Sequence, residues 1–93
     1  MKRLAWNPEK NKKLILERGL CFEDIAYFIE NGQVLNIEEN PNKEKYHGQC
    51  MYIIEIDGYA YLVPFVENEE EIFLKTIIPS RKATRKYLAG GAK

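Results

Sequence analysis

The densest set of side chains able to do chemistry is Lys75-Thr76-Ile77-Ile78-Pro79-Ser80-Arg81-Lys82-Ala83-Thr84-Arg85-Lys86-Tyr87-Leu88. Ser80 is a favourable N-cap, so a helix is predicted from Arg81 to about Leu88, closed near Gly90-Gly91. Arg81 and Lys82 then hold the first helical positions, where the macrodipole disfavours cations by roughly 0.3–1 kcal/mol each. Stability alone would not place them there. Free backbone N–H groups at a helix start attract anions, and two cations added to them point to phosphate. Arg85 lies one turn on from Arg81 and shares its face, and Lys75 reaches the same region if its side chain points that way. The plain alternative is a solvated basic helix end.

Two further places hold reactive types. Lys45, Tyr46 and His47 sit in a long polar loop, where an aromatic ring beside a cation and an imidazole suits a single-stranded base or phosphate. Glu55 is expected on an otherwise apolar strand face, as an exposed carboxylate or as one paired with Lys75. No phosphate-cradling Gly-rich loop, zinc-ligand spacing or Ser-His-Asp set occurs, and with one histidine most familiar hydrolase arrangements are excluded. No metal or other cofactor is expected. Cys21 and Cys50 are too few for a disulfide framework and read as reduced packing residues.

The elements that must position these groups can be read from capping and periodicity. Asn7-Pro8 starts a helix running from Pro8 to Arg18, and Gly19 closes it. Phe22, Ile25, Ala26 and Ile29 form one apolar stripe on a second helix that ends at Gly32. A strand is expected over about 33–38. Asp57-Gly58 is a type I′ turn signal, which pairs residue 56 with 59 and leaves both faces of the hairpin largely apolar. Such a pair is central and covered on each side, with Pro64 at a bulge or an unpaired edge segment. A last strand is expected over 72–78. Trp6, Leu14 and Ile15 are expected to pack the start of the chain onto the sheet. The resulting order, β-α-α-β-β-β-α, is α+β with an antiparallel sheet and helices packed on it.

Ninety-three residues, 45% of them hydrophobic and 30% charged, hold one core, so the whole chain 1–93 is expected to be a single domain. No apolar run approaches the ~20 residues of a membrane span and no signal-type segment follows the basic start, so a cytoplasmic protein with no membrane contact is expected. Net charge is zero, but its order is uneven. Residues 1–20 carry six basic side chains against two acids, 21–74 two against twelve, and 75–93 six against none. If the last helix packs beside the first, the basic ends converge on one patch able to meet a polyanion, with Lys12 contributing from the first helix.

Three motifs carry a resemblance. They are Trp6-Asn7-Pro8-Glu9-Lys10, then Arg18-Gly19 followed by Cys21-Phe22-Glu23-Asp24, and Ile77-Ile78-Pro79-Ser80-Arg81-Lys82-Ala83-Thr84-Arg85. In this order and spacing they resemble the BrnT family, the toxin half of a bacterial toxin–antitoxin pair with a RelE-like ribonuclease fold. The resemblance implies a type II toxin that cleaves mRNA without a metal and so inhibits translation. It also implies neutralisation by a cognate ribbon-helix-helix antitoxin, with operator DNA bound only through that antitoxin.

On this reading a ribose 2′-OH attacks the adjacent phosphate in line, which needs charge stabilisation and acid–base help. Arg81 and Arg85 hold the phosphate and Lys75 stabilises developing charge. His47, Tyr46, Tyr87 and Glu55 remain alternatives for moving protons, with His47 placed in the catalytic set. Lys45, Tyr46, Lys82, Lys86, Tyr87 and Lys12 are the candidate RNA-binding residues. The competing reading is a non-catalytic module that binds the antitoxin and tunes its operator affinity. A homodimer is left open.

Overall fold

The computed structural model describes residues 2–40, 44 and 49–89, with Ala89 described through its backbone alone. Lys45, Tyr46, His47 and the expected closure at Gly90-Gly91 lie outside the described residues. The architecture is α+β: strands β1 (Arg3–Trp6), β2 (Asn36–Glu39), β3 (Cys50–Ile56), β4 (Tyr59–Glu67), β5 (Glu71–Leu74) and β6 (Ile78–Pro79), and helices α1 (Pro8–Arg18), α2 (Phe22–Glu30) and α3 (Arg81–Thr84). Wider π-type turns continue α3 over Arg85–Ala89.

The helix signals operate as expected. Asn7 accepts hydrogen bonds from the N–H groups of Glu9 and Lys10, and Gly19 closes α1 at φ 69°. The N-cap position of α2 is Cys21, whose side chain makes no capping bond. The cap comes instead from α1. Asn11, buried, accepts from the Phe22 N–H at 2.7 Å and donates from Nδ2 to Glu23 at 2.9 Å. The two helices are thereby locked by a side chain that neither helix's own end supplies.

The sheet is mixed, in the order β1-β5-β4-β3-β2, with β6 also pairing β4. This departs from the expected antiparallel sheet with fewer strands. β1 runs parallel to β5, Arg3 opposite Glu71, and is tied there by Lys2–Glu67 and Arg3–Glu71 ion pairs. The expected strand over 72–78 is interrupted at 75–77, which separates β5 from β6. Pro64 accounts for the interruption. Its carbonyl accepts from the Lys75 N–H at 2.8 Å, so its missing N–H also faces that side, where no ladder bond is required of it. It lies in register in a central strand, opposite Met51, and not at an outer edge.

The hairpin register is as read, Ile56 opposite Tyr59, with Asp57 and Gly58 both at positive φ as a type I′ turn needs. Alternation then sends Tyr52, Ile54 and Val63 to one face, where they meet Leu14, Phe22 and Ile25. Trp6 stacks on Phe22 there, with ring centroids 5.8 Å apart. Ile15 does not join them and is 47% exposed. Ile53 and Ala60 turn to the opposite face, where they meet Ala83, Tyr87 and Leu88 of the last helix. The last helix therefore does not pack beside the first. The sheet lies between them, and near their ends Arg18 Nη1 donates to the Ile77 carbonyl at 2.9 Å. Among the described residues no helix is long and apolar enough to cross a membrane.

Candidate functional site

The last helix is fixed to β4 by polar bonds from its first turn. Ser80 Oγ accepts from the Ala83 N–H at 3.0 Å, the expected cap. Thr84 Oγ1 accepts from the Ala60 N–H and donates to the Ser80 carbonyl, both at 2.8 Å, and the Ser80 N–H donates to the Ala60 carbonyl at 3.0 Å. Half of the Pro79–Arg85 motif thus anchors the helix: Ser80 and Thr84 by hydrogen bonds, Ala83 by burial against Ile53 and Ala60. The charged half is free for other work.

With the helix so anchored, a cleft of about 230 Å³ opens between it and β2–β4. Met51, Ile53, Leu62 and Ala83 line it as apolar surface, and Glu38, Glu39, Ser80, Lys82, Lys86 and Tyr87 supply its polar groups. Three of these polar groups converge. The Tyr87 hydroxyl donates to Glu38 Oε2, Lys86 Nζ donates to the same oxygen at 3.1 Å, and Asn36 Nδ2 donates to the Tyr87 oxygen at 2.8 Å. Lys86 Nζ also lies 5.2 Å from the centre of the Tyr87 ring, a cation–π distance. The Tyr87 hydroxyl beside Glu38, then Lys86, holds the Glu38 carboxyl below its ordinary range, and the field of Lys82 acts in the same direction. Glu38 reciprocally holds the Lys86 ammonium above its ordinary value. The arrangement is two carboxylates, of which Glu38 is fixed, a phenol and two ammonium groups over an apolar floor, able to offer both acceptors and cationic donors to a polar ligand that also carries a flat apolar part.

The structure brings together some of the expected residues and not others. Lys82, Lys86 and Tyr87 line the cleft. Arg81 and Arg85 are exposed and lie outside its lining, and Lys75 is exposed with Nζ 5.9 Å from the centre of the Phe73 ring. Lys12 is exposed on α1, across the sheet. Glu55 is exposed and borders a separate depression with Phe28 and Val34, so it is neither buried nor paired with Lys75 in an ion pair. Glu38 and Asn36 were not singled out in the sequence. Their one local signal was membership of the strand expected over 33–38, and the partners that give them meaning are 49 and 51 residues away.

Both cysteines are free, and burial pushes the Cys21 thiol above its ordinary pKa, which suits a packing role. Among the described residues no cluster of three metal-ligating side chains occurs. No protein-family model matches the chain, and no curated protein and no solved structure matches it.

Proposed function

We propose that this chain is a small RNA-cleaving toxin of the type II class, similar to the BrnT family, that acts on mRNA and is neutralised by a ribbon-helix-helix antitoxin. The observation that carries the reading is the cleft in which Lys82, Lys86 and Tyr87, all from the helix bearing the family-like motif, converge over apolar surface. Lys82 neutralises charge on the scissile phosphate, Lys86 being paired with Glu38, as the 2′ oxygen bonds to phosphorus and the bond to the 5′ oxygen breaks. Among the described residues Tyr87 alone of the four proton-moving candidates lines the cleft, and its phenol, leaving its hydrogen bond to Glu38, gives a proton to the departing 5′ oxygen. His47 takes the 2′ proton in this scheme. Arg81 and Arg85, exposed and outside the lining of the cleft, bind flanking phosphates and add to affinity rather than to the chemical step.

The test is incubation of purified protein with a defined mRNA in the presence of a chelator, for wild type and Lys82→Ala. Cleavage leaving 2′,3′-cyclic phosphate ends, lost in a variant that melts as wild type does, is the expected result. One feature favours the second reading, a non-catalytic antitoxin-binding module: Glu38 already neutralises Lys86. Protein that cuts no RNA yet binds a ribbon-helix-helix partner establishes that reading instead.

A further inference from the structure

The two hydrogen bonds to Glu38 from Tyr87 and Lys86 both fall on Oε2. An ionised carboxylate has about four acceptor sites on two oxygens, so Oε1 keeps its acceptor capacity. The side chain is 31% exposed, and the residue lines the cleft. Its position is set from three sides: Tyr87 and Lys86 hold the carboxylate, and Asn36 holds Tyr87. Beside it Leu62, with the small exposed edges of Met51 and Ile53, offers a nucleobase ring an apolar surface, and Glu39 lines the same cleft. The cleft volume of about 230 Å³ falls below the roughly 300–1,000 Å³ of pockets that enclose whole ligands. It therefore suits one base, with sugar and phosphate outside near Lys82.

We propose that the cleft is a guanine subsite, in which Glu38 Oε1 accepts from the N1–H and N2–H of a single unpaired guanine. This rests on the reading of the cleft as an RNA site and adds the base it selects. The selectivity follows from the edge each base presents. Guanine offers two adjacent donors to an acceptor-only group. Adenine and cytosine place a ring-nitrogen acceptor beside their amino group, which a carboxylate repels, and uracil offers one N–H between two carbonyls. Tyr87 and Lys86 are positioning residues for this contact, because they fix the carboxylate and keep it ionised.

The experiment uses fluorescent five-nucleotide RNAs, U5 and U5 with one central G or one central A, and free GMP and AMP, with wild type and Glu38→Gln, each variant checked by thermal melt. Wild type is expected to prefer the G-containing RNA by about tenfold, the scale of a good base-edge contact, and Glu38→Gln to reduce that preference below about threefold. Equal binding of the G and A oligomers by wild type overturns the guanine subsite while leaving the RNA reading intact, and needs no variant. A preference that survives in a folded Glu38→Gln protein also overturns it. Binding of GMP over AMP with no RNA binding supports the subsite and overturns the RNA reading. Binding of neither overturns both.

Discussion

The two faces of the sheet are built on different terms. On the α1–α2 face, Leu14, Phe22, Ile25, Ile54, Val63, Leu74 and Ile77 make one dry cluster, and the one buried polar residue among the described residues, Asn11, spends its amide on the Phe22 N–H and Glu23. On the α3 face the buried cluster among the described residues is Ile53, Ala60 and Ala83, and next to it two carboxylates, a phenol and two ammonium groups share one cleft. Apolar burial is worth roughly 25 cal/mol per Å², so the first face carries most of the folding free energy. The second gives up apolar area for polar groups held in fixed positions. The contrast teaches that the α1–α2 face is scaffold and the α3 face is where binding is to be sought.

That contrast can be broken by substitution. Phe22→Ala should show the largest effect on stability, a loss of about 3–5 kcal/mol in chemical denaturation, because it empties the fully buried centre of the first face. Asn11→Ala comes next, at about 1–3 kcal/mol, since the buried Phe22 N–H loses its acceptor. Lys82→Ala should change stability by no more than about 0.5 kcal/mol while RNA affinity falls at least tenfold. A melt shifted as far as that of Asn11→Ala would mean that the α3 face is scaffold too.

The smallest effect separates the faces by pH. Glu38 and Glu23 both have folded pKa values below their ordinary ones, Glu38 through Tyr87 and Lys86, Glu23 through Asn11. A depressed carboxylate stabilises the fold above its unfolded pKa of about 4.3, and that contribution disappears as pH falls through the lower folded value. Acid titration of stability below about pH 4.5 should therefore be shallower in Glu38→Gln and, separately, in Glu23→Gln. An unchanged acid limb in Glu38→Gln would show that the Glu38 cluster contributes to binding geometry and not to folding.

The scaffold was largely legible in the sequence, because its signals are local. Asn7-Pro8, Gly19, Gly32 and Asp57-Gly58 each act within a few residues, and the stripe from Phe22 to Ile29 announces its buried face. What the sequence hid lies at long separation. Nothing near Arg3 indicates a parallel partner at Glu71, nothing near Pro64 indicates that its missing N–H faces the break between β5 and β6, and nothing near Glu38 indicates Tyr87. Of the candidate site, Lys82, Lys86 and Tyr87 were legible from the composition of the last helix. The helix phase that sends Lys82 and Lys86 into the cleft, and Arg81 and Arg85 away from it, depends on where Thr84 and Ser80 fasten to β4.

The pairing of β1 with β5 also has a consequence in time. The β3–β4 hairpin closes over a two-residue turn and belongs to a class that forms in about 1–10 μs. Arg3 and Glu71 lie 68 residues apart, and bringing such distant segments together costs chain entropy before any contact offsets it. The hairpin is thus the natural nucleus, and the first strand of the chain docks late. Until it does, β5 presents an open edge, and the transient species with that edge unpaired is the one most exposed to association with another copy of itself.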